Sequence, residues 1–205
     1  MNQIILLTHQ KGGVGKSTIA YNLAQTFKKN SKVAIIDFDF QGSLLQVSGI
    51  SDFDIFSYNG KLDKIKELPY DFTFIDTPPY IMDRLEELCN ISDIILIPTK
   101  AGILDLFAIE KTIKVVRDSG NMDKAFVVFN MVKPNTNLTE DIQDKVKEFG
   151  IRQANTKLND FVAFSRSVLG QLENPKAQQQ IDELSSEVLD FLISQKSKIR
   201  NLENS

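Results

Sequence analysis

The sequence predicts an α/β fold, a doubly wound and mostly parallel sheet flanked by helices. Three observations predict it. Short apolar, β-branched-rich runs recur along the chain, stretches with helical spacing separate them, and a glycine-rich segment joins the first run to the first helix. The runs are Ile4–Thr8, Val33–Asp37, Phe72–Asp76, Ile94–Pro98 and Phe126–Asn130. Each shows little alternation, as expected of strands buried on both faces of a parallel sheet.

The helices follow from a different period. Ile19, Leu23 and Phe27 fall at i, i+4 and i+8 after the first run. Leu85–Cys89 reads as a shorter helical stretch, and Ile109, Ile113 and Val116 repeat the longer pattern, as do Ile142, Val146 and Phe149. Ile181, Leu184, Val188 and Phe191 mark a C-terminal helix packed on the sheet, and a polar tail begins near Gln195. Alternating strands and helices imply right-handed crossovers. Residues 1–205 read as one domain.

Composition narrows the function. The 24 basic and 27 acidic residues give a net charge of −3, which excludes a chain coated in positive charge but leaves a local basic patch open. A single cysteine, Cys89, excludes an intrachain disulfide; with one histidine, His9, it argues against a zinc site. The first residues, MNQIILLTHQ, do not read as a secretory signal, and no apolar run reaches the length of a membrane span. A cytoplasmic location is the expectation.

The strongest motif is Lys11-Gly12-Gly13-Val14-Gly15-Lys16-Ser17-Thr18, between the first strand and the first helix. Glycines allow successive backbone N–H groups to curl around a polyphosphate where a side chain would collide. The helix starting near Lys16 adds its positive end. Lys16 supplies charge for β- and γ-phosphates, and the Ser17 hydroxyl suits Mg²⁺. This is a P-loop, the cradle of a nucleotide polyphosphate with Mg²⁺.

Gln10 takes the place of the usual first glycine, and a second lysine, Lys11, precedes Lys16 by five residues. This combination resembles the deviant Walker A loop of the ParA/MinD family of ATPases. The resemblance implies that Lys11 crosses a dimer interface to the partner's nucleotide, in the manner of an arginine finger. Ile36-Asp37-Phe38-Asp39-Phe40-Gln41-Gly42 is similar to the family's D-x-D-P-Q-G box, with Phe40 replacing proline. By that resemblance Asp39 positions the attacking water and Asp37 holds the water shell of the metal; on their own, the pair also suits a turn. Phe74-Ile75-Asp76-Thr77-Pro78-Pro79 resembles the family's Walker B segment, which makes Asp76 a Mg²⁺ residue and the following Thr-Pro-Pro a γ-phosphate sensor. Asn130 falls where relatives place an amide beside adenine, with Met131–Pro134 completing the base pocket. An Asn closing a strand is also common in turns.

The resemblance spans roughly residues 2–193 and is weakest between Ile151 and Gly170, where Phe161 stands in the usual place of an arginine and Arg166 is its substitute. Lone Cys89 fits neither a shared iron–sulfur cluster nor a zinc pair, and reads as a core residue. After Phe191 there is no tyrosine cluster, and the tail carries only Ile199 and Leu202 as apolar residues, too few for a membrane helix. A strand starting near residue 3 leaves no room for an N-terminal helix-turn-helix. A short ParA-type partition ATPase is the expectation: an ATP-bound homodimer on nonspecific DNA, stimulated by a centromere-binding ParB-type adaptor, nucleoid-associated and free of the membrane. Arg152, Lys157, Arg166, Lys176, Lys196, Lys198 and Arg200 are its candidate DNA contacts. The alternatives are a MinD-like ATPase positioning a protein assembly and a small-molecule ligase of the dethiobiotin synthetase type.

Overall fold

The computed structural model describes residues 2–39, 43–133, 138–170 and 172–203. The chain runs β1 (Gln3–Leu7), α1 (Lys16–Phe27), β2 (Val33–Asp37), α2 (Ser43–Gln46), β3 (Asp54–Phe56), β4 (Phe72–Asp76), α3 (Leu85–Ile91), β5 (Ile94–Thr99), α4 (Ile103–Asp118), β6 (Ala125–Phe129), α5 (Leu138–Glu148), β7 (Arg152–Gln153), α6 (Val162–Arg166) and α7 (Pro175–Glu203). A 3₁₀ segment, Leu62–Glu67, precedes β4.

The strands form one seven-stranded sheet in the order β3-β2-β4-β1-β5-β6-β7, every pair parallel. The five apolar runs are its central strands, with ends displaced by a residue or less. β1 lies between β4 and β5, so the chain leaves β1 towards one edge and returns to build the other. The crevice outside the carboxyl ends of these strands is where such a sheet binds ligands.

Alternation within β1 divides the core. Ile5 and Leu7 face a layer containing Ile19, Leu23 and Phe27 of α1 and Ile181, Leu184, Val188 and Phe191 of α7. Ile4 and Leu6 face the opposite layer, with Leu88 and Cys89 of α3, Ile109, Ile113 and Val116 of α4, and Ile142 and Val146 of α5. Both faces are therefore covered, and the strands need no polar side. Cys89 is buried among these apolar groups, as expected, and burial pushes its thiol up to about 11, so it stays protonated and inert.

The short elements α2, β3, β7 and α6, and the tail, differ from the sequence reading. β3 and β7 are edge strands of three and two residues, too short to leave an apolar run. The polar tail is helical: α7 continues to Glu203, and the last buried side chains among its described ones are Phe191 and Leu192.

Candidate functional site

The site is assembled at the carboxyl ends of β1, β2 and β4. Parallel pairing puts Leu7 beside Asp76 and Asp76 beside Asp37, so both carboxylates reach the same edge as the loop leaving β1. That loop turns sharply. Gly15 holds a φ of +97°, a left-handed conformation that disfavours any side chain, and immediately precedes Lys16, the first residue of α1. Gly15 makes no side-chain cap for α1, and a helix N-terminus offers its first N–H groups to an anion.

Lys16 is buried, with its ammonium 3.5 Å from the Lys11 carbonyl. Burial lowers its pKa, opposed by the negative charges of Asp76 and Asp39. Asp39 is half-buried, and its backbone N–H donates to Asp37 Oδ1 at 2.9 Å. Asp37 is buried and also accepts from Leu45 N, so the turn-forming role left open by the sequence is present. Burial raises its pKa. Phe40, Gln41 and Gly42 of the box lie outside the described residues.

Ser17 Oγ donates to Asp76 Oδ2 at 2.5 Å. The other oxygen, Asp76 Oδ1, is buried and has no hydrogen-bond partner among the described residues. Burial pushes the Asp76 carboxyl up to about 7 despite the Ser17 hydrogen bond. A buried carboxylate with an unused oxygen, touching a hydroxyl, fits a divalent cation completed by phosphate and water oxygens. Among the described residues no cluster of three or more His, Cys, Asp or Glu side chains is built to hold a metal by itself. Ser17, Asp76 and Asp37 are the residues that would hold Mg²⁺.

Thr77 follows Asp76 and donates its hydroxyl to the Leu7 carbonyl at 3.0 Å, fastening the next segment to β1. Pro79 lies against Gly12, where an added Cβ would sit 3.5 Å from the proline Cβ. The loop and the segment after β4 are thus in touch. Val14 is fully buried, whereas Gly12 and Gly13 are exposed and Thr18 is half-buried.

Asn130 closes β6, but its amide faces the loop. Nδ2 donates to the Val14 carbonyl at 2.8 Å, and a Cβ on Gly15 would come within 2.1 Å of it. Beside it, Met131 adopts a φ of +53°. A cavity of about 20 Å³, lined by Thr18, Asn130, Met131, Asp160 and Phe161, has room for about one water. Pro134 lies outside the described residues.

Sequence reasoning marked α4 as a helix but missed its contacts with the loop. Gln10 donates its side-chain amide to the Ala108 carbonyl at 2.8 Å and its backbone N–H to Thr112 Oγ1 at 3.3 Å. Lys11 Nζ reaches Asp105 Oδ1 at 2.7 Å. His9, fully buried, accepts the Lys11 N–H on Nδ1, so it stabilises the loop; burial and the nearby Lys16 hold it neutral, with a pKa near 4. An acidic residue in the first turn of a helix is so ordinary that Asp105 gives no signal of its own.

The candidate DNA contacts differ in their surroundings. Arg152 is exposed, and its guanidinium lies over the rings of Phe126 and Phe191, 5.0 and 5.3 Å from their centroids. Arg166, Lys176, Lys196 and Lys198 are exposed and Lys157 is half-buried, whereas the Arg200 side chain lies outside the described residues. Among the described residues no helix is long and apolar enough to cross a membrane.

A glycine loop between a buried strand and a helix, with carboxylates from two adjacent strands beside it, defines a P-loop nucleotide-binding site on a parallel sheet. A family model for the CobQ/CobB/MinD/ParA nucleotide binding domain matches residues 5–174, and the chain belongs to that family. It is similar to the maintenance of carboxysome distribution protein A of Halothiobacillus neapolitanus, 26% identical over 179 residues that cover 80% of this chain and 83% of the relative. A plasmid partition protein of Borrelia burgdorferi bound to AMPPNP shares the fold, with a TM-score of 0.72, 20% identity and coverage of 95% and 100% of the two chains. So does the septum site-determining protein MinD of Pyrococcus horikoshii complexed with Mg-ADP, with a TM-score of 0.73, 19% identity and coverage of 92% and 96%.

Proposed function

We propose that the chain is an ATPase that hydrolyses ATP to ADP and phosphate with Mg²⁺, forms a homodimer when ATP is bound, and uses that cycle to position a cargo. One observation carries the dimer: the two lysines of the loop point in different directions. Lys16 lies buried at the start of α1, while the Lys11 side chain leaves the loop for α4. A P-loop serves its own phosphates with one lysine. In this reading the second serves the phosphates of another copy.

In this reading Lys16 neutralises the phosphates, Ser17 and Asp76 hold Mg²⁺, Asp37 orders its water shell and Asp39 orients the attacking water. The metal, when bound, draws charge from the transferred phosphoryl group. Asn130 and Met131 border the base.

For the cargo, the carboxysome-distribution relative supports a protein assembly, and this reading takes precedence over plasmid or chromosome partition. Partition rests on a structural likeness at 20% identity, which speaks for the fold. The exposed Arg166, Lys176, Lys196 and Lys198 keep nonspecific DNA as the track in either case, with a ParB-type adaptor as the partner only in the second. The test is light scattering after gel filtration with ATP, ADP or no nucleotide, repeated with duplex DNA across a salt series. The proposal expects a dimer with ATP alone, and DNA binding by that dimer that falls steeply with salt. A monomer under all three conditions refutes the dimer, and DNA binding indifferent to nucleotide refutes the DNA track.

A further inference from the structure

We infer that Asp105 is the resting counter-ion of Lys11, and that displacing Lys11 from it sets the ATP level at which two copies assemble. The inference rests on the dimer reading above.

The contact is direct, 2.7 Å from Lys11 Nζ to Asp105 Oδ1. The two ends differ in exposure: the Lys11 side chain is 37% exposed and that of Asp105 only 10%. The lysine can therefore leave for another anion, whereas the carboxylate stays behind. A mostly buried carboxylate that loses its cation is left underpaired, which opposes the departure. Lys11 leaves only for a stronger concentration of negative charge, and a triphosphate brought up by a second copy presents more of it than a diphosphate does.

The rest of the loop does not depend on this pair. Gln10 holds Ala108 and Thr112, and His9 holds the Lys11 backbone N–H. Moving the lysine side chain thus leaves three ties between these residues in place, and the phosphate cradle keeps its shape. Gly102 makes room for the carboxylate, because a Cβ there would sit 2.6 Å from Asp105 Oδ2. The same turn of α4 presents Ile103, Leu104 and Phe107 at 61%, 75% and 62% exposure. A second copy lying over this turn would bury that apolar surface as the ion pair opens.

Asp105 is then a positioning residue, acting through Lys11. The experiment titrates Mg-ATP against the dimer fraction by light scattering for the wild type, Asp105→Asn, Asp105→Glu and Gly102→Ala. Asp105→Asn keeps the shape and removes the charge, and half-maximal assembly should move to an ATP concentration lower by about three- to tenfold, the scale of one partly buried ion pair. Asp105→Glu should return towards the wild type. Gly102→Ala, at a φ of −131° that alanine accepts, displaces the carboxylate without altering it and should shift assembly the same way as Asp105→Asn. It also stands in if Asp105→Asn fails to fold. Monomer affinity for a fluorescent ATP analogue should stay unchanged, a readout that general loosening of the loop would move. Wild-type assembly with unshifted or right-shifted variants overturns the inference alone. A wild type that never assembles with ATP overturns the dimer reading and this inference with it.

Discussion

Gly15 and Asn130 should behave as one unit, and their coupling can be worked out from the geometry. Gly15→Ala places a Cβ 2.1 Å from Asn130 Nδ2, far inside contact distance, on a backbone whose φ is +97°. The conformation alone costs about 1–3 kcal/mol for a residue with a side chain. Expelling the amide also breaks its 2.8 Å bond to the Val14 carbonyl, which is buried at residue 14 and loses a partner at about 1–3 kcal/mol. Asn130→Ala loses only that hydrogen bond and some packing. In the double variant the overlap is gone, so Gly15→Ala adds only the backbone cost. The double variant should therefore be more stable than the sum of the singles predicts, by about 1–3 kcal/mol. Urea unfolding of the four proteins measures this, as midpoint shifts at constant slope. Additivity within about 0.5 kcal/mol would show that the amide does not lock the loop.

The other predictions concern charge. Lys16→Ala should weaken ATP binding by roughly a hundredfold or more and abolish hydrolysis, since a buried ammonium at the phosphates has no substitute; turnover at the wild-type rate would remove the P-loop assignment. Asp39→Ala should accumulate ATP-bound dimer with turnover suppressed, while Asp76→Ala should weaken nucleotide binding in Mg²⁺ specifically, and titrations with and without the metal separate them; matching behaviour contradicts the division of roles. His9 is neutral and buried, its pKa lowered from 6.5 to about 4, so its contribution to stability is intact above 6.5 and is lost as pH falls from there through 4. The full loss is about 3 kcal/mol, and urea midpoints at neutral pH and about pH 5 should differ less in His9→Asn than in the wild type; an equal difference in both proteins rejects a buried neutral His9.

What the sequence made legible follows from where each signal comes from. The five central strands are buried on both faces, so nearly every position is apolar and the runs stand out. β3 and β7 pair on one side only and hold three and two residues, and their existence depends on neighbours the local sequence does not encode. Lys16, Ser17 and Asp76 were legible because loop, strand and helix fix their types at set spacings. Asp105 was not, because its partner lies 94 residues away and only the packing of α4 against the loop unites them. The packing of Arg152 was illegible for a related reason: Phe126 and Phe191 beneath its exposed cation come from distant parts of the chain. The tail shows the opposite limit, since a polar sequence with good helix formers can continue a helix that apolar spacing no longer marks.

The central claim is that each catalytic unit borrows Lys11 from a second copy, and mixing two inactive variants tests it most directly. Lys11→Ala retains Asp39 but cannot supply the lysine, while Asp39→Ala supplies the lysine but cannot orient water. Each alone should hydrolyse almost no ATP. Mixed in equal amounts before ATP is added, up to about half of the dimers pair unlike copies, because Asp39→Ala also traps itself, and one of the two sites in each such pair is complete. Hydrolysis should return, to at most about a quarter of the wild-type rate, as symmetry of a two-copy interface requires. A mixture no more active than its components, at concentrations where the wild type is a dimer, contradicts the account.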